Sequence, residues 1–511
     1  MNQGVFKIFG AGLAILFGLF VVASALGDGG NSLSKVALYL VPVLIFGSFI
    51  NGHLGISVIV LGFAYSDLLK RFLVIFGRFS FQDIANVLIL VPFCTLAVFA
   101  HFVIKRYLTG LGKSKSNDRI LLLGIATSCF IAFSLVIKFG FGLGVMKEIA
   151  QNAPYGLLIW VVQVAFPDKE AIKKFIRFVL IVFFPVALYG IKQHFMGFTD
   201  FELDYLLSGF STEVKHLREV EIHAFSTMGS SVPFGNVMAI LVAYAMLFYS
   251  LCKAGHSKSG SAFLLIVISL IFILACYSSS KRSTWIVAIT VVTGMLAYRY
   301  RGLTVLLYGA GLTMFTLLVV FAGSILKNWQ SISGALQETI GIQISTFSAR
   351  MVGIYNWSRN PEMWTLFGVP AEERVDAKSV GIGSGLKLDG LSSLLAHDMI
   401  GSILLNYGAI ALIASLFTGM IIFWKLHRAV LSAQTKEERA ALAALLAVMI
   451  GCLISGFSNA IIFPVNAFGL LSFGLFLRYI ALSSQERVKD TETEREKLTK
   501  DMDATPHLLE V

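Results

Sequence analysis

His397 and Asp398 stand where charge ends and hydrocarbon begins. The stretch Leu391–Ile413, LSSLLAHDMIGSILLNYGAIALI, starts polar, carries one histidine at the lip of an apolar run, and continues as a membrane-type helix. An ionisable pair at such a boundary can touch both a lipid-borne substrate and water. An imidazole there can take a proton from a hydroxyl. The same residues also serve structurally at a helix start, with Asp398 as N-cap or first-turn acid.

Two other stretches carry cations. Ser278–Trp285, SSSKRSTW, lies between two apolar runs. Lys281, Arg282 and the hydroxyls could hold a phosphate. The alternative is snorkelling cations that mark a helix end, with Trp285 as an interfacial belt residue. Ser345–Pro370, STFSARMVGIYNWSRNPEMWTLFGVP, carries Arg350. Met351, Ile354 and Tyr355 are spaced for an amphipathic helix over Ala349–Trp357, which Asn360-Pro361 would end. The Gly381–Gly385 run has no strand before it and is no dinucleotide fingerprint.

The elements that must position these residues are membrane helices. The chain has 511 residues, 56% hydrophobic and 14% charged, where soluble domains carry about 25% charged residues. Apolar runs fall at 6–26, 35–50, 53–69, 84–104, 119–138, 153–167, 173–191, 233–252, 262–279, 284–298, 302–323, 396–424, 439–457 and 461–481. The fold class is an all-α polytopic membrane protein of about 12 to 14 spans, since the short runs around Asn51-Gly52-His53 form either a broken pair or a re-entrant element. Short alternating segments of the β-barrel kind are absent. The first run, ending near Ala23-Ser24-Ala25, resembles a signal peptide but reads as an uncleaved first helix because so many spans follow.

The net charge of +11 sits in short loops, which argues for the positive-inside rule and against a nucleic-acid partner. Basic loops at 105–119, 168–177, 253–258, 299–301 and 425–439 read as cytoplasmic. Alternation then puts 192–232, 324–395 and Lys281-Arg282 outside. Lys70, Arg71 and Arg78 conflict with this scheme: either the early topology differs or that stretch lies along the membrane surface. The five cysteines lie within or beside apolar runs as packing residues. No CxxC, HExxH or Walker A pattern points to a metal or nucleotide cofactor. Residues 482–511 form a charged tail, read as a cytoplasmic helix or a disordered segment.

The order of these features resembles the bacterial O-antigen ligase and O-antigen polymerase superfamily, over roughly residues 185–480. Lys281-Arg282-Ser283-Thr284-Trp285 matches a Ser-Arg-Gly-Ala-Trp-like turn. Arg350 to Trp357, Asn360-Pro361 and Leu366-Phe367-Gly368-Val369 loosely resemble an Arg-x-x-x-Trp-like helix followed by a Pro and a Gly-x-Gly-like turn. His397-Asp398 and Asn406-Tyr407-Gly408 stand where the family has a His-Asn pair and a Glu-x-Gly-x-x-Gly, so the Asn and Glu both differ. His223–Gly229 and Gly235-Asn236 resemble the segment before the family's next span. On that division, 1–180 are N-terminal membrane helices, 181–481 the ligase/polymerase-like core, and 482–511 the tail.

The resemblance implies an inverting, metal-independent glycosyltransferase without cofactor, in the bacterial inner membrane, acting on its periplasmic face. The donor is an undecaprenyl diphosphate-linked glycan held in membrane lipid; a chain-length regulator or flippase of the same pathway is a candidate partner. Arg282 and Arg350 would stabilise the leaving diphosphate, with Lys281 as an added point charge. His397 would be the base for the acceptor hydroxyl, and Asp398 would orient it or cap its helix. A polymerase of lipid-linked repeat units is favoured because of the departures at Asn and Glu. The alternatives are a ligase acting on lipid A-core or another acceptor, and a lipid-linked sugar flippase. No internal repeat or mid-membrane charge series favours the flippase.

Overall fold

The computed structural model describes residues 32–77, 88–109, 115–208, 222–254, 260–299, 358, 361–368, 399–433, 435–456 and 467–503, with single positions between 313 and 321. Among these there is no β-strand. The apolar runs at 6–26 and, for the most part, 302–323 lie outside them, as do Arg78 and most of the 324–395 loop.

The helices are α1 (Ser32–Ile50), α2 (Gly52–Gly77), α3 (Leu90–Thr109), α4 (Lys115–Phe139), α5 (Leu143–Asn152), α6 (Leu158–Ala165) and α7 (Lys169–Met196). They continue with α8 (Asp200–Leu207), α9 (Ser231–Ala254), α10 (Gly260–Ser278), α11 (Arg282–Arg299), α12 (Met399–Leu431), α13 (Lys436–Gly456) and α14 (Ala467–Asp503). Five of them, α3, α4, α7, α9 and α12, are long and apolar enough to cross a membrane. Shorter apolar segments lie in α1, α10 and α11. The chain is therefore a helical membrane protein.

α1 and α2 form a hairpin around Asn51, whose Oδ1 accepts from the His53 and Leu54 amides at 3.1 and 3.3 Å.

Close approaches fix the helix directions. α9 runs through the middle, with Val237, Leu241 and Tyr244 fully or almost fully buried, and packs on α7, α10, α11 and α13. Gly190 of α7 leaves room only for the Phe234 ring of α9. A side chain at Gly294 would meet Ala447, and one at Gly451 would meet the Val287 backbone, so α13 runs antiparallel to α11. α13 joins α12 through a short turn in which the Thr435 hydroxyl caps Glu438 N at 3.1 Å. The first residue of α12 therefore lies at the same end of the bundle as the first residue of α11.

We call this the upper end. It gathers the ends of α2, α7 and α10 and the starts of α9, α11 and α12. The lower end gathers the described residues of the basic stretches, at the ends of α3, α9, α11 and α12 and the starts of α4, α7 and α13. There Lys169 pairs with Glu486 at 2.5 Å, and Arg478 donates to the Phe166 and Pro167 carbonyls at 2.7 and 2.8 Å. Beyond that pair α14 continues as helix to Asp503, so the helical reading of the tail fits through that residue.

Two outward faces mark the apolar slab. On α10, Phe263, Ile266, Leu270, Leu274 and Tyr277 are exposed at helical spacing. On α12 the exposed face runs from Ile410 through Ile413, Phe417 and Trp424 to Leu431. At about 1.5 Å per residue that face is about 32 Å long, close to the hydrocarbon thickness of about 30 Å.

Candidate functional site

The upper end is organised by a non-helical strap, Ile222–Ser230, that turns at 226–227 and crosses between helix ends. Side chains from neighbouring helices bond much of its backbone, beside one turn bond from Met228 N to the Phe225 carbonyl at 3.0 Å. Gln193 Oε1, at the top of α7, accepts from the Phe225 and Ser226 amides at 3.2 and 2.6 Å. Arg71 of α2 is almost wholly buried; its Nη1 donates to the Ser226 carbonyl at 2.6 Å and its Nη2 to the Met228 carbonyl. The guanidinium lies over the Phe225 ring at 4.5 Å. Thr227 Oγ1 donates to the Ala64 carbonyl at 2.6 Å, and Ser226 Oγ to Val186 at 2.5 Å. Ser226 itself sits at φ 53°, a conformation held in place by these bonds.

Below the strap, Gln193 Nε2 donates to the fully buried Glu202. Glu202 also accepts from the Thr199 amide at 2.7 Å and lies 3.8 Å from Lys192 Nζ. A buried carboxylate is costly unless hydrogen-bonded and paired, and this one is both.

The other end of the strap lies against the Ser278–Thr284 turn. Ala224 N donates to the Ser278 carbonyl at 3.1 Å, and His223 Nδ1 lies 3.4 Å from the Ser279 carbonyl. Ser280 Oγ donates to the Ile222 carbonyl at 3.3 Å. The turn is tight: Ser280 has φ 50°, Ser279 Oγ lies 2.9 Å from Thr284 Oγ1, and Thr284 Oγ1 donates to the Lys281 carbonyl at 2.7 Å. Ser278, Ser279 and Thr284 are fully buried. The hydroxyls of Ser278, Ser279 and Thr284 donate to the Leu274, Cys276 and Lys281 carbonyls.

Lys281 precedes α11 and is half-buried, and Arg282 is the first residue of α11. A helix start favours negative charge. Trp285 stacks on Tyr277 at 5.1 Å and donates from Nε1 to the Tyr277 carbonyl at 3.3 Å. Because Tyr277 belongs to the outward face of α10, this pair fits the interfacial belt reading of Trp285. The start of α11 thus lies where the apolar slab ends.

A second junction lies at the same end. α12 breaks at Gly408, with φ 81° and ψ −178°. Ala409 N donates to the Thr365 carbonyl at 2.8 Å and Ile410 N to the Leu366 carbonyl at 3.3 Å. Gly368, at φ 97°, rests against the Asn406 backbone. Two separately noted stretches, Leu366–Gly368 and Asn406–Gly408, therefore meet. Phe133 packs edge-on against Phe367 at 5.1 Å, and Phe130 lies 6.3 Å from Tyr407. The apolar run expected at 396–424 is two pieces: Met399–Tyr407, buried in protein over Gly401–Leu404, and the outward-facing remainder.

His397, Asp398 and Arg350 lie outside the described residues. The residue after Asp398, Met399, begins α12 at the upper end, and Pro361 follows Arg350 by eleven positions.

Reading the sequence missed Gln193 and Glu202 and saw Arg71 only as a charge on the wrong side. The available signals were that misplaced charge and the Thr199-x-x-Glu202 spacing that marks a helix start. No protein-family model matches the chain, and no curated protein is found similar to it.

Proposed function

We propose that the chain is an inner-membrane glycosyltransferase that polymerises lipid-linked oligosaccharide units outside the cytoplasmic membrane, taking the growing glycan from an undecaprenyl diphosphate donor. The upper end is then periplasmic, the basic lower end cytoplasmic, and the span count about 12 to 14. One observation carries the reading: the start of α11, with Lys281 and Arg282, and the start of α12, next to His397, lie at one end of the bundle beside the edge of the apolar slab. A lipid-borne diphosphate presents its charge at that depth.

In this reading Arg282, Arg350 and Lys281 stabilise the diphosphate as the sugar–oxygen bond breaks. His397 takes the proton of the attacking hydroxyl as the new glycosidic bond forms with inversion, and the departing undecaprenyl diphosphate carries away the bonding pair. No metal is required by this charge balance.

The test is the size of lipid-linked and surface polysaccharide in a deletion strain complemented with wild type or His397→Ala. Single repeat units, unrescued by the variant, support a polymerase. Full-length polymer stranded on the carrier means a ligase, and absence of lipid-linked glycan at the outer face means transport.

A further inference from the structure

Arg71 is the largest charged side chain buried in the described structure, and the reaction above makes no use of it. It lies in α2, far in sequence from every candidate site residue. Its two terminal nitrogens are spent on the carbonyls of Ser226 and Met228, and its face on Phe225. The carboxylates of Asp67 in α2 and Glu202 in α8 offset its charge, and the Tyr205 ring lies 5.7 Å from it. Gln193 holds the same strap through the Phe225 and Ser226 amides, and its Nε2 reaches the Ser226 carbonyl at 3.5 Å. The strap is thus held by two side chains at residues 225–228. One to six residues earlier it makes the bonds that seat the Ser278–Thr284 turn: Ala224 N to Ser278, and Ser280 Oγ to Ile222. Within 222–228 the chain bonds itself through one turn, Met228 N to the Phe225 carbonyl at 3.0 Å, and its other described bonds go to neighbouring elements.

We propose that Arg71 is a positioning residue for the candidate diphosphate site, acting through Ile222–Met228 to set the Lys281-Arg282 turn. A guanidinium suits this role because its planar fork reaches two carbonyls at once, which an ammonium cannot do with the same geometry. The inference rests on the reading of that turn as a diphosphate site.

The test uses the purified full chain and two measurements. The first is affinity for undecaprenyl diphosphate and undecaprenyl monophosphate in wild type, Arg71→Met, Arg282→Ala and the double variant. Arg71→Met weakens diphosphate binding about tenfold and monophosphate binding far less, and it adds little on top of Arg282→Ala. Additive losses, or equal losses for both lipids, overturn the inference. The second is backbone hydrogen exchange. Arg71→Met raises exchange in 222–230 and in 278–286 but leaves 432–440 at the lower end unchanged. A rise confined to 222–230, or spread through the whole chain, overturns it. If Arg71→Met does not fold, Gln193→Leu, which removes the other side-chain hold on the strap, undergoes both measurements with the same expected pattern. A wild type that binds the two lipids equally defeats the diphosphate reading of the turn. The exchange result still decides whether Arg71 positions that turn.

Discussion

The Thr365 carbonyl accepts a hydrogen bond from the Ala409 amide at 2.8 Å. In an unbroken helix that amide would donate to Leu405. The bond therefore replaces one that Gly408 removes, and Leu366 does the same for Ile410. The loop segment that follows Arg350 and the helix that follows His397 are joined where α12 changes from protein-buried to outward-facing.

Gly408 is the position where this junction is most vulnerable. Its φ of 81° disfavours any side chain, and a Cβ there would collide with the Leu366 carbonyl and Phe367 amide. Gly408→Ala is expected to cost about 1–3 kcal/mol from backbone strain alone, with more from the clash. Gly419 of the same helix has open space around it. Gly419→Ala is expected to be neutral or stabilising by about 0.5–1 kcal/mol. Thermal denaturation of the two variants in one detergent compares them directly. Equal midpoints would mean that the junction does not hold the helix.

Gly235 makes a similar demand on the cationic turn. A Cβ there would lie 2.6 Å from Ser279 Oγ and 2.7 Å from Thr284 Oγ1. Gly235→Ala is expected to displace the turn that carries Lys281 and Arg282 and to lower glycan transfer at least about tenfold, with the chain still inserted. Ser279→Gly removes the nearest obstructing atom and should recover part of the loss. Recovery equal to that from an unrelated serine substitution would detach the turn from activity.

Much of this arrangement was legible in the residues, and the remainder was hidden for identifiable reasons. Apolar run length announced the membrane helices, and the placement of lysine and arginine announced which helix ends lie together. Arg71 broke that charge rule because the rule concerns charges left in water, whereas Arg71 is withdrawn into a cage of carbonyls. The Gly408 break was invisible because it depends on a segment about forty residues earlier supplying two acceptors. The hydrogen bonds of the serines of 278–280 were hidden because side-chain-to-backbone bonds at a turn leave no trace in composition.

The lower end offers a pH test. Lys253, ending α9, pairs with Glu437, starting α13, and its hydrogen bond holds the Glu437 carboxyl below the usual range. A carboxyl lowered on folding adds stability that is complete above its unfolded value of about 4.3 and is lost as pH falls through the folded value. Glu437→Gln should therefore lower the melting midpoint slightly at pH 7, and the gap should close toward pH 3. Because the pair is exposed to water, high salt should also close it. A gap that widens in acid would reverse the assignment.

The catalytic assignment makes the sharpest demand. If Arg282 faces the leaving diphosphate and His397 takes the acceptor proton, each variant to alanine should retain membrane insertion and lose transfer. A missing base costs about 10²–10⁴ in rate, and a missing charge clamp a comparable factor of about 10²–10³. The two differ in what they leave behind. Arg282→Ala should also weaken binding of undecaprenyl diphosphate, because the charge it removes acts on the bound donor. His397→Ala should bind that lipid as wild type does, because the base acts on the acceptor. Full transfer by either purified, lipid-supplied variant would remove that residue from the mechanism. Loss of wild-type transfer on addition of EDTA, restored by a divalent cation, would show that arginine charge alone does not carry the leaving group.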